Sequence, residues 1–425
     1  MLWGWLLPVL AVLIWTILLL RGYLAWTRMP KAVPRPSSEH ALPAVAVFVP
    51  ARNEVRTIAP CVTALARQGA LIDRLVVIDD RSSDGTRERL AELEEQYDNL
   101  HVLTGRGPQP GEYGKPAALR DAVEAVRPCC EWLLFIDADV VVTSGAVAGL
   151  LDLARQYSAD LVSVLPRLDL GTPIERLVMP SFVAIIAARH PAERVMDPES
   201  PLAFANGQVI LVRRSFYELV GGHGALVGEI LEDVRLAERV KAEGGALCLA
   251  DGREVARTRM YESWAEIVEG WSKNIFLLVG ASIGSVLAWS LGSIATASIG
   301  LLALITGGWP AGVVAYAWTL AIQMLMRRRG GAPPGWAIFA PIAAVLVAYV
   351  IVRSAWLHLG GNPIRWKGRR YRRVSGEDLN GADQGRGDQG EQAGPKVELI
   401  VASSTPPVRG QEREDHRRID RGDES

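Results

Sequence analysis

The chain of 425 residues is 49% hydrophobic and nearly neutral, with 46 Lys and Arg against 47 Asp and Glu, so no overall positive field would recruit nucleic acid. Its four cysteines form no CxxC pair with nearby histidines, which argues against a zinc site and favours reduced, packed thiols in a cytosolic domain. The apolar fraction exceeds what a soluble protein needs and predicts that part of the chain lies in a membrane.

The amino terminus predicts a membrane anchor over residues 1–26. The apolar run from Leu2 to Leu20 has about the ~20 residues that a spanning helix requires, and four basic residues between 21 and 35 follow it, which places its carboxyl end in the cytoplasm. A cleaved signal peptide is the alternative, but the run lacks a basic first part and an AxA-like site. Residues 27–43 predict a linker, because "KAVPRPSSEHALP" cannot continue a helix.

From residue 44 onwards, short apolar runs alternate with longer helical stretches. The runs "VAVFVP", "RLVVID", "HVLTG" and "WLLFID" predict strands, and residues 58–68, 86–97 and 115–126 predict helices. This alternation indicates βαβ units and a mainly parallel sheet. In such sheets ligands bind beyond the carboxyl ends of the strands. The segments "PARNE", "DDRSSDGT" and "DADV" each stand at such an end.

Two acids, Asp137 and Asp139, end the apolar strand in "FIDADVVV". Side-chain alternation along an extended segment gives both the same direction. Carboxylates are hard ligands for Mg²⁺ or Mn²⁺, which typically bridge a few protein carboxylates to substrate phosphates. An isolated DxD more often caps a helix or lies in solvent, but its position beside two other acidic strand ends favours a metal site.

The preceding strand end, "VVIDDRSSDGT", adds Asp79 and Asp80. One interpretation is a helix cap, for which Ser83 or Asp84 is suited. A capped helix amino terminus is also a good place to receive an anionic nucleotide. We therefore expect Asp79 or Asp80 to accept hydrogen bonds from a base imide or a ribose.

Six motifs in order give the chain a resemblance to family 2 glycosyltransferases with the GT-A fold, over roughly residues 44–274. They are "PARNE", "DDRSSDGT", "GKPAAL", "DAD", "NGQVILVRR" and "LEDVRLAERV". The resemblance implies an α/β nucleotide-sugar-binding domain, with a mixed, mainly parallel sheet and flanking helices. The apolar runs outside it predict transmembrane helices at both ends of this domain. It implies a nucleotide-sugar donor, and we expect a UDP-sugar.

The resemblance also assigns roles to individual residues. Nucleotide-sugar binding is implied for Pro50, Arg52, Glu54, Asp79, Asp80, Lys115 and Asp137. Asp139, with Asp137, is implied to hold Mg²⁺ or Mn²⁺ on the diphosphate. Gly207, Gln208 and Trp271 are expected to contact the acceptor or the donor sugar.

The resemblance places the catalytic base at Asp233, beside Glu232. A single displacement with inversion would follow, in which Asp233 takes the proton of the attacking hydroxyl. The competing interpretation is an acidic first turn of the helix "DVRLAERVKAEG", where these two acids are favourable to the helix dipole.

One motif departs from the family pattern. Processive relatives carry QxxRW after the base, whereas "EIVEGWSKN" keeps only the tryptophan, Trp271, and has Ile267 and Gly270 at the other positions. This weakens an interpretation as a polysaccharide synthase. Trp271 is equally suited to anchor the chain at a membrane interface.

The carboxyl-terminal part predicts three or four membrane segments over residues 275–358. Both "RRR" at 327–329 and "RWKGRRYRR" from 365 should face the cytoplasm. Full spans cannot satisfy both, whereas an interfacial or re-entrant last segment does. The stretch Glu175 to His190 predicts an interfacial helix or a core helix. Residues 359–375 predict a basic segment held by anionic lipids, and 376–425 a disordered tail.

"WKGRRY" and "EGWSKN" resemble segments of bacterial membrane glycosyltransferases associated with carotenoid and hopanoid glycolipids. We therefore expect an integral protein of a bacterial-type cytoplasmic membrane whose catalytic domain transfers a sugar to a lipid acceptor on the cytoplasmic side. The alternatives are a processive polysaccharide synthase and a catalytically silent membrane scaffold. A nicotinamide oxidoreductase is disfavoured, because "PARNEV" stands where GxGxxG would be required.

Overall fold

The computed structural model describes residues 42–306 and 311–371, together with 26–36 and the positions 12–13, 16–17 and 20–24. Most of the predicted anchor from Leu2 to Leu20 lies outside the described residues, and its few described positions are helical. The tail predicted over 376–425 also lies outside them.

The centre of the molecule is a seven-stranded sheet. Its strands in chain order are β1 (Val45–Ala51), β2 (Ile72–Asp79), β3 (Leu100–Thr104), β4 (Trp132–Ile136), β6 (Leu161–Leu165), β8 (Val209–Arg213) and β9 (Leu247–Asp251). Their order across the sheet is β3-β2-β1-β4-β8-β6-β9. All neighbours are parallel except β8, which runs antiparallel to β4 and to β6. The predicted mixed, mainly parallel sheet is confirmed.

Helices cover both faces of this sheet. They are α1 (Ile58–Ala66), α2 (Thr86–Glu94), α3 (Gly114–Val126), α4 (Ala146–Gln156), α5 (Pro173–Arg189), α6 (Ala192–Met196), α7 (Arg214–Leu219), α8 (Glu232–Ala242) and α9 (Trp264–Leu278). The first three follow β1, β2 and β3 as predicted. Alternation along β1 sends Val47 and Val49 into one core and Ala46 and Phe48 into the other, so the central strands are apolar throughout.

A smaller sheet and the linker complete this domain. Strands β5 (Val140–Val142), β7 (Arg167–Leu168) and β10 (Ala256–Thr258) form a three-stranded sheet in the order β5-β10-β7. The described part of the predicted linker is docked rather than free. Asp251 donates its N–H to Pro30 and accepts one from Ala32, and Arg35 donates its N–H to Gly145.

Three longer helices follow the sheet domain: α10 (Ile283–Thr306), α11 (Ala311–Arg329) and α12 (Ala340–Leu359). Within the part of the chain that the structure describes, two stretches, Ile283–Ile305 and Pro334–Leu359, are long and apolar enough to cross a bilayer. Helix α12 is apolar on two sides. One side, with Val347, Val350 and Ile351, is buried against other helices, whereas large apolar side chains on the other are exposed, namely Ile342, Val345, Tyr349, Val352 and Trp356.

Helix α5 joins these helices to the sheet domain. A capping box between Thr172 and Glu175 fixes its start. Its apolar face shares one cluster with α9 and α12, in which Phe182 stacks on Trp271 with ring centroids 4.4 Å apart. Arg327, at the end of α11, donates to the carbonyls of Arg176 and Leu177 over 2.9 and 3.1 Å. The "RRR" segment therefore lies against the first turn of α5.

The chain ends its described part in a β-hairpin, β11 (Ile364–Trp366) and β12 (Arg369–Tyr371). It comes after α12 and a connection of four residues, 360–363. This hairpin contains the "WKGRRY" segment.

Candidate active site

The sheet order explains why motifs that are distant in sequence meet. Because β8 runs antiparallel to β4, the residues that precede β8 lie beside the residues that come after β4. Asp137 accordingly donates its N–H to the carbonyl of Gln208 over 3.1 Å. The "DAD" and "NGQ" motifs thus form one side of a cleft at the carboxyl ends of the parallel strands.

Lys115, in the first turn of α3, joins the acids of this cleft. Its Nζ lies 2.7 Å from Oδ1 of Asp137 and 3.1 Å from Oε1 of Glu232. It also donates to the carbonyl of Gly207 over 3.2 Å. Burial alone would lower the pKa of Lys115, but Asp137, Glu232 and Asp233 together raise it above its ordinary value. Lys115 is therefore a permanent cation between the two predicted groups of acids.

Asp233 lies in the first turn of α8 and accepts two backbone hydrogen bonds. Its Oδ2 accepts from the N–H of Gly207 over 2.7 Å, and its Oδ1 from that of Val234 over 2.8 Å. Burial first, and then Glu232, raise the pKa of Asp233 to about 6, against the effect of Lys115. The group is therefore mostly ionised at neutral pH yet close enough to neutrality to take up a proton.

Glu232 has the opposite shift. Burial by itself would raise its pKa, but Lys115 and Lys273 outweigh burial and lower it below the ordinary range. Two adjacent carboxyl groups thus have different protonation behaviour because they face different neighbours. Such a separation is what distinguishes a proton acceptor from a permanent charge.

Gly207 allows the close approach of Lys115 and Asp233. A Cβ at this position would lie 2.8 Å from Oδ2 of Asp233 and 2.9 Å from Nζ of Lys115. Only a residue without a side chain lets both groups reach this peptide backbone. Gly207 therefore supports the site through its backbone, and this requirement was not predicted.

The surroundings of Asp139 suit the binding of a metal cation by its carboxylate. Its Oδ1 is buried without a hydrogen-bond partner, and a buried carboxylate oxygen in that state is costly. Burial first, and then Asp137 and Glu54, raise the pKa of Asp139 to about 7. No group of three or more His, Cys, Asp or Glu converges as a metal site within the described part of the chain. Two carboxylates completed by donor phosphates suit Mg²⁺ or Mn²⁺.

The loops after β1 and β2 hold the residues predicted for the nucleoside. Asp84 accepts from the N–H of Thr86 over 3.1 Å. The N-cap of α2 is nevertheless Gly85, whose backbone is left-handed, so the predicted cap at Ser83 or Asp84 is wrong. Asp79 is buried and accepts from the N–H of Ser82 over 3.1 Å, which shapes the loop. Pro50 lies in β1 opposite Ile78 of β2.

Arg52, Glu54 and Asp80 form a second charged group, which meets the carboxyl-terminal hairpin. Lys367 is paired with Glu54, and Nη2 of Arg369 lies 2.9 Å from Oδ1 of Asp80. Arg52 donates to the carbonyl of Asp80 over 2.6 Å and to that of Lys367 over 3.2 Å. The sequence predicted a lipid-facing patch here, and the structure places two of its cations on the acids of the cleft.

The two remaining predicted contacts are held by scaffold interactions. The side chain of Gln208 accepts from Nδ2 of Asn206 over 3.0 Å and donates to Oγ1 of Thr258 over 3.4 Å. Trp271 stacks on Phe182, and its Nε1 is buried without a partner. These contacts connect the cleft to the smaller sheet and to α5.

Sequence reasoning missed Lys273, two residues after Trp271 on α9. Burial lowers its pKa, against the effect of Glu232. Its Nζ also lies over the ring of Trp366 in the hairpin, 5.3 Å from the centroid. A single cation within an apolar helix was the signal that could have indicated it.

The chain is similar to known glycosyltransferases. A family model described as glycosyltransferase like family 2 matches residues 43–270. The 4,4'-diaponeurosporenoate glycosyltransferase of Staphylococcus haemolyticus (strain JCSC1435) is 25% identical over 269 residues, which cover 62% of this chain and 69% of the relative. That of Staphylococcus aureus (strain MRSA252) is 24% identical over 344 residues, which cover 77% and 88%.

Among solved structures, the chain is similar to a mannosyltransferase from Pyrobaculum calidifontis in complex with GDP-Man and Mn²⁺. It is 17% identical to this chain, with a TM-score of 0.47, and the match covers 83% of this chain and 99% of that chain.

Proposed function

This chain belongs to glycosyltransferase family 2, and we propose that it transfers a sugar, with inversion, from a nucleotide-sugar donor to a lipid acceptor at the cytoplasmic membrane face. The observation that carries the proposal is the meeting of Asp233 and Lys115 at Gly207, over 2.7 and 3.2 Å. It supports the proposal because it brings a carboxylate that is suited to accept a proton, and a permanent cation, beside the acids that come after β4. We expect a UDP-sugar as the donor.

In the proposed reaction an acceptor hydroxyl attacks the anomeric carbon as the bond to the diphosphate breaks. Asp233 takes the hydroxyl proton, for which a pKa of about 6 is suited. Lys115 holds Asp137 and Glu232 in place and keeps the cleft from accumulating unbalanced negative charge. When bound by Asp137 and Asp139, Mg²⁺ or Mn²⁺ would stabilise the charge that develops on the diphosphate.

The lipid nature of the acceptor is supported by the helices beside the cleft. The cluster of α5, α9 and α12 continues into the exposed apolar side of α12. An apolar acceptor could reach the cleft along this surface without crossing water. The staphylococcal relatives are named for transfer to diaponeurosporenoate, which supports a carotenoid-like or other isoprenoid-like acceptor.

We further propose that the protein is integral to the membrane, with an anchor over residues 1–26 and further segments after 275. Arg327 contacts α5, and the hairpin after α12 contacts the cleft. Both flanks of α12 thus lie on the side of the catalytic domain. An interfacial α12, buried on one side and facing lipid on the other, explains how both basic segments can face the cytoplasm.

The topology can be tested with a native cysteine. Cys129 is exposed, whereas Cys61 and Cys248 are buried. We expect a membrane-impermeant maleimide to leave Cys129 unlabelled in intact cells and to label it after lysis. A Cys129→Ser variant gives the background, and labelling of Cys129 in intact cells would contradict the cytoplasmic placement.

The reaction can be tested by incubating membranes that contain the protein with a panel of labelled nucleotide sugars. We expect one donor to yield a lipid that carries a single sugar, identified by mass spectrometry. A polymer would instead indicate a processive synthase. Neither transfer nor donor hydrolysis with any lipid extract would indicate a silent scaffold.

A further inference from the structure

The carboxyl-terminal hairpin covers the loops that come after β1 and β2. The side chain of Arg369 is 17% exposed and that of its partner Asp80 is 6% exposed. Lys367 and Glu54 are 30% and 13% exposed. Ion pairs with this little solvent are screened less than surface pairs. The hairpin is therefore a packed part of the cleft wall, although it lies more than 280 residues after these acids in the chain.

The turn of this hairpin is unusual in its sequence. The strand register leaves Lys367 and Gly368 as a two-residue loop, and both have a positive φ, of 45° and 78°. Turns of this kind strongly favour Asn-Gly, and a lysine with positive φ is uncommon. Asparagine would adopt this backbone conformation at a lower energetic cost than lysine. We infer that the lysine is present because of the contacts that its side chain makes.

The charges of the cleft suggest a role for the contact between Lys367 and Glu54. Its carboxylates are Glu54, Asp79, Asp80, Asp137, Asp139, Glu232 and Asp233. They would repel an anionic ligand unless cations lie among them. Lys115 is engaged by Asp137 and Glu232, so on the side of Glu54 and Asp80 the hairpin supplies positive charge.

Trp366 connects this hairpin to the catalytic acids. Two cations lie near its ring, with Nζ of Lys273 at 5.3 Å and Nζ of Lys367 at 5.9 Å from the centroid. Lys273 interacts in turn with Glu232. A ligand that extends from Asp80 to Asp139 would lie near the positive charges of Lys367 and Lys273.

We propose that the hairpin is part of the donor site and that Lys367 is a donor-binding residue that contacts the diphosphate of the nucleotide sugar. The proposal rests on the proposed function, because it takes the ligand to be a nucleoside diphosphate derivative. In the ligand-free state Lys367 is paired with Glu54, and on donor binding the ammonium group is shared with a phosphate oxygen. Arg369 remains on Asp80 and holds the hairpin in place.

The test is the substitution Lys367→Asn in the full-length protein, in uncharged detergent. Asparagine suits the turn, which offsets part of the loss of the ion pair with Glu54, so the protein should still fold, with thermal stability unchanged or slightly lower. We expect the affinity for UDP or GDP, whichever the parent binds, to fall by about tenfold or more, the loss typical of one charge-assisted contact. Binding of the corresponding nucleoside, which has no phosphate, should not change.

Two matched variants complete the experiment. Lys367→Arg keeps the charge and should bind the diphosphate within about threefold of the parent, which is less than half of one tenfold step on the free-energy scale. Lys31→Asn makes the same change of charge at an exposed position beside Asp251 and should have no effect.

The outcomes separate the two proposals. If the parent binds neither diphosphate, the proposed function fails. If the parent binds and Lys367→Asn binds equally well, the inference is wrong. Tighter binding by the variant would mean that the hairpin competes with the donor, and a defect seen only on vesicles containing anionic lipid would mean that the segment is a lipid contact. Either result overturns the proposal.

Discussion

Replacing Asp233 with asparagine is expected to reduce sugar transfer by a factor on the order of 10²–10⁴, the usual contribution of a general base. Asparagine keeps the size of the side chain and can still accept from the N–H of Gly207, a contact of 2.7 Å in the parent. It cannot take up the proton of the acceptor hydroxyl. Nucleotide binding and membrane insertion should therefore be unchanged while turnover is lost, as measured by transfer of labelled sugar to lipid.

The pH dependence of the transfer rate is a second test of the role of Asp233 in the Asp233→Asn variant. The parental rate should rise with pH through about 6, since only ionised Asp233 accepts a proton, and this limb should be absent from the residual activity of Asp233→Asn. Because the folded pKa lies above the ordinary value, ionisation of Asp233 costs stability. Asp233 should therefore contribute a loss of stability as pH rises from its ordinary pKa towards about 6. The variant should lose less stability than the parent over this interval, although not none, because Asp139 keeps its own raised pKa.

The control is Glu238→Gln, which removes an exposed carboxylate from the same helix. It should leave turnover unaltered. A helix-dipole role for Asp233 predicts only about 0.3–1 kcal/mol of lost stability and little loss of rate. If Asp233→Asn kept more than about a tenth of parental turnover, the loss would be smaller than expected for a general base, and Glu232 would become the candidate base instead.

Replacing Asp139 with asparagine should abolish the stimulation of donor binding by Mg²⁺ or Mn²⁺. We expect a loss on the order of 100-fold or more, since even outer-shell partners of metal ions contribute roughly 10–100-fold. The reason is that Asp139 has a buried carboxylate oxygen with no partner in the protein. The measurement is a titration of nucleotide with and without the metal.

Stability without metal provides an independent check on Asp139. The neutral amide removes a buried, unpaired charge, so the metal-free variant should be at least as stable as the metal-free parent at neutral pH. Asp98→Asn, an exposed position, serves as the control. Binding by Asp139→Asn that is still stimulated by metal would refute the assignment.

The first part of the sheet domain could largely be predicted, because each strand and helix is indicated by the pattern of apolar residues within its own segment. Apolar runs of strand length alternate with helical stretches, and β1 to β4 and the three helices between them begin and end close to the predicted residues. The acids at the strand ends followed from the same pattern. The antiparallel course of β8 did not, since pairing between strands depends on contacts that periodicity does not encode.

The same limit explains what was missed around the cleft. Lys367 contacts Glu54 across 313 residues of sequence, and a basic run after an apolar helix has the composition of a lipid contact. Likewise, apolar content alone does not separate a helix that spans a bilayer from one that lies at its interface, and one side of α12 packs on protein whereas the other is exposed. The contacts of Arg327 and the hairpin with the sheet domain are what support the interfacial placement that we propose.

The peptide of Gly207 has a consequence for how such an enzyme can diverge. Its N–H fixes Asp233 and its carbonyl fixes Lys115, so any shift of this backbone carries both groups along and preserves their spacing. The contacts to the donor that we propose are instead spread over segments as far apart as those of Arg52 and Lys367. Substitutions in those segments can change which nucleotide sugar is used without moving the base. The chemical step is thereby insulated from changes in specificity, and new donors or acceptors can be acquired one segment at a time.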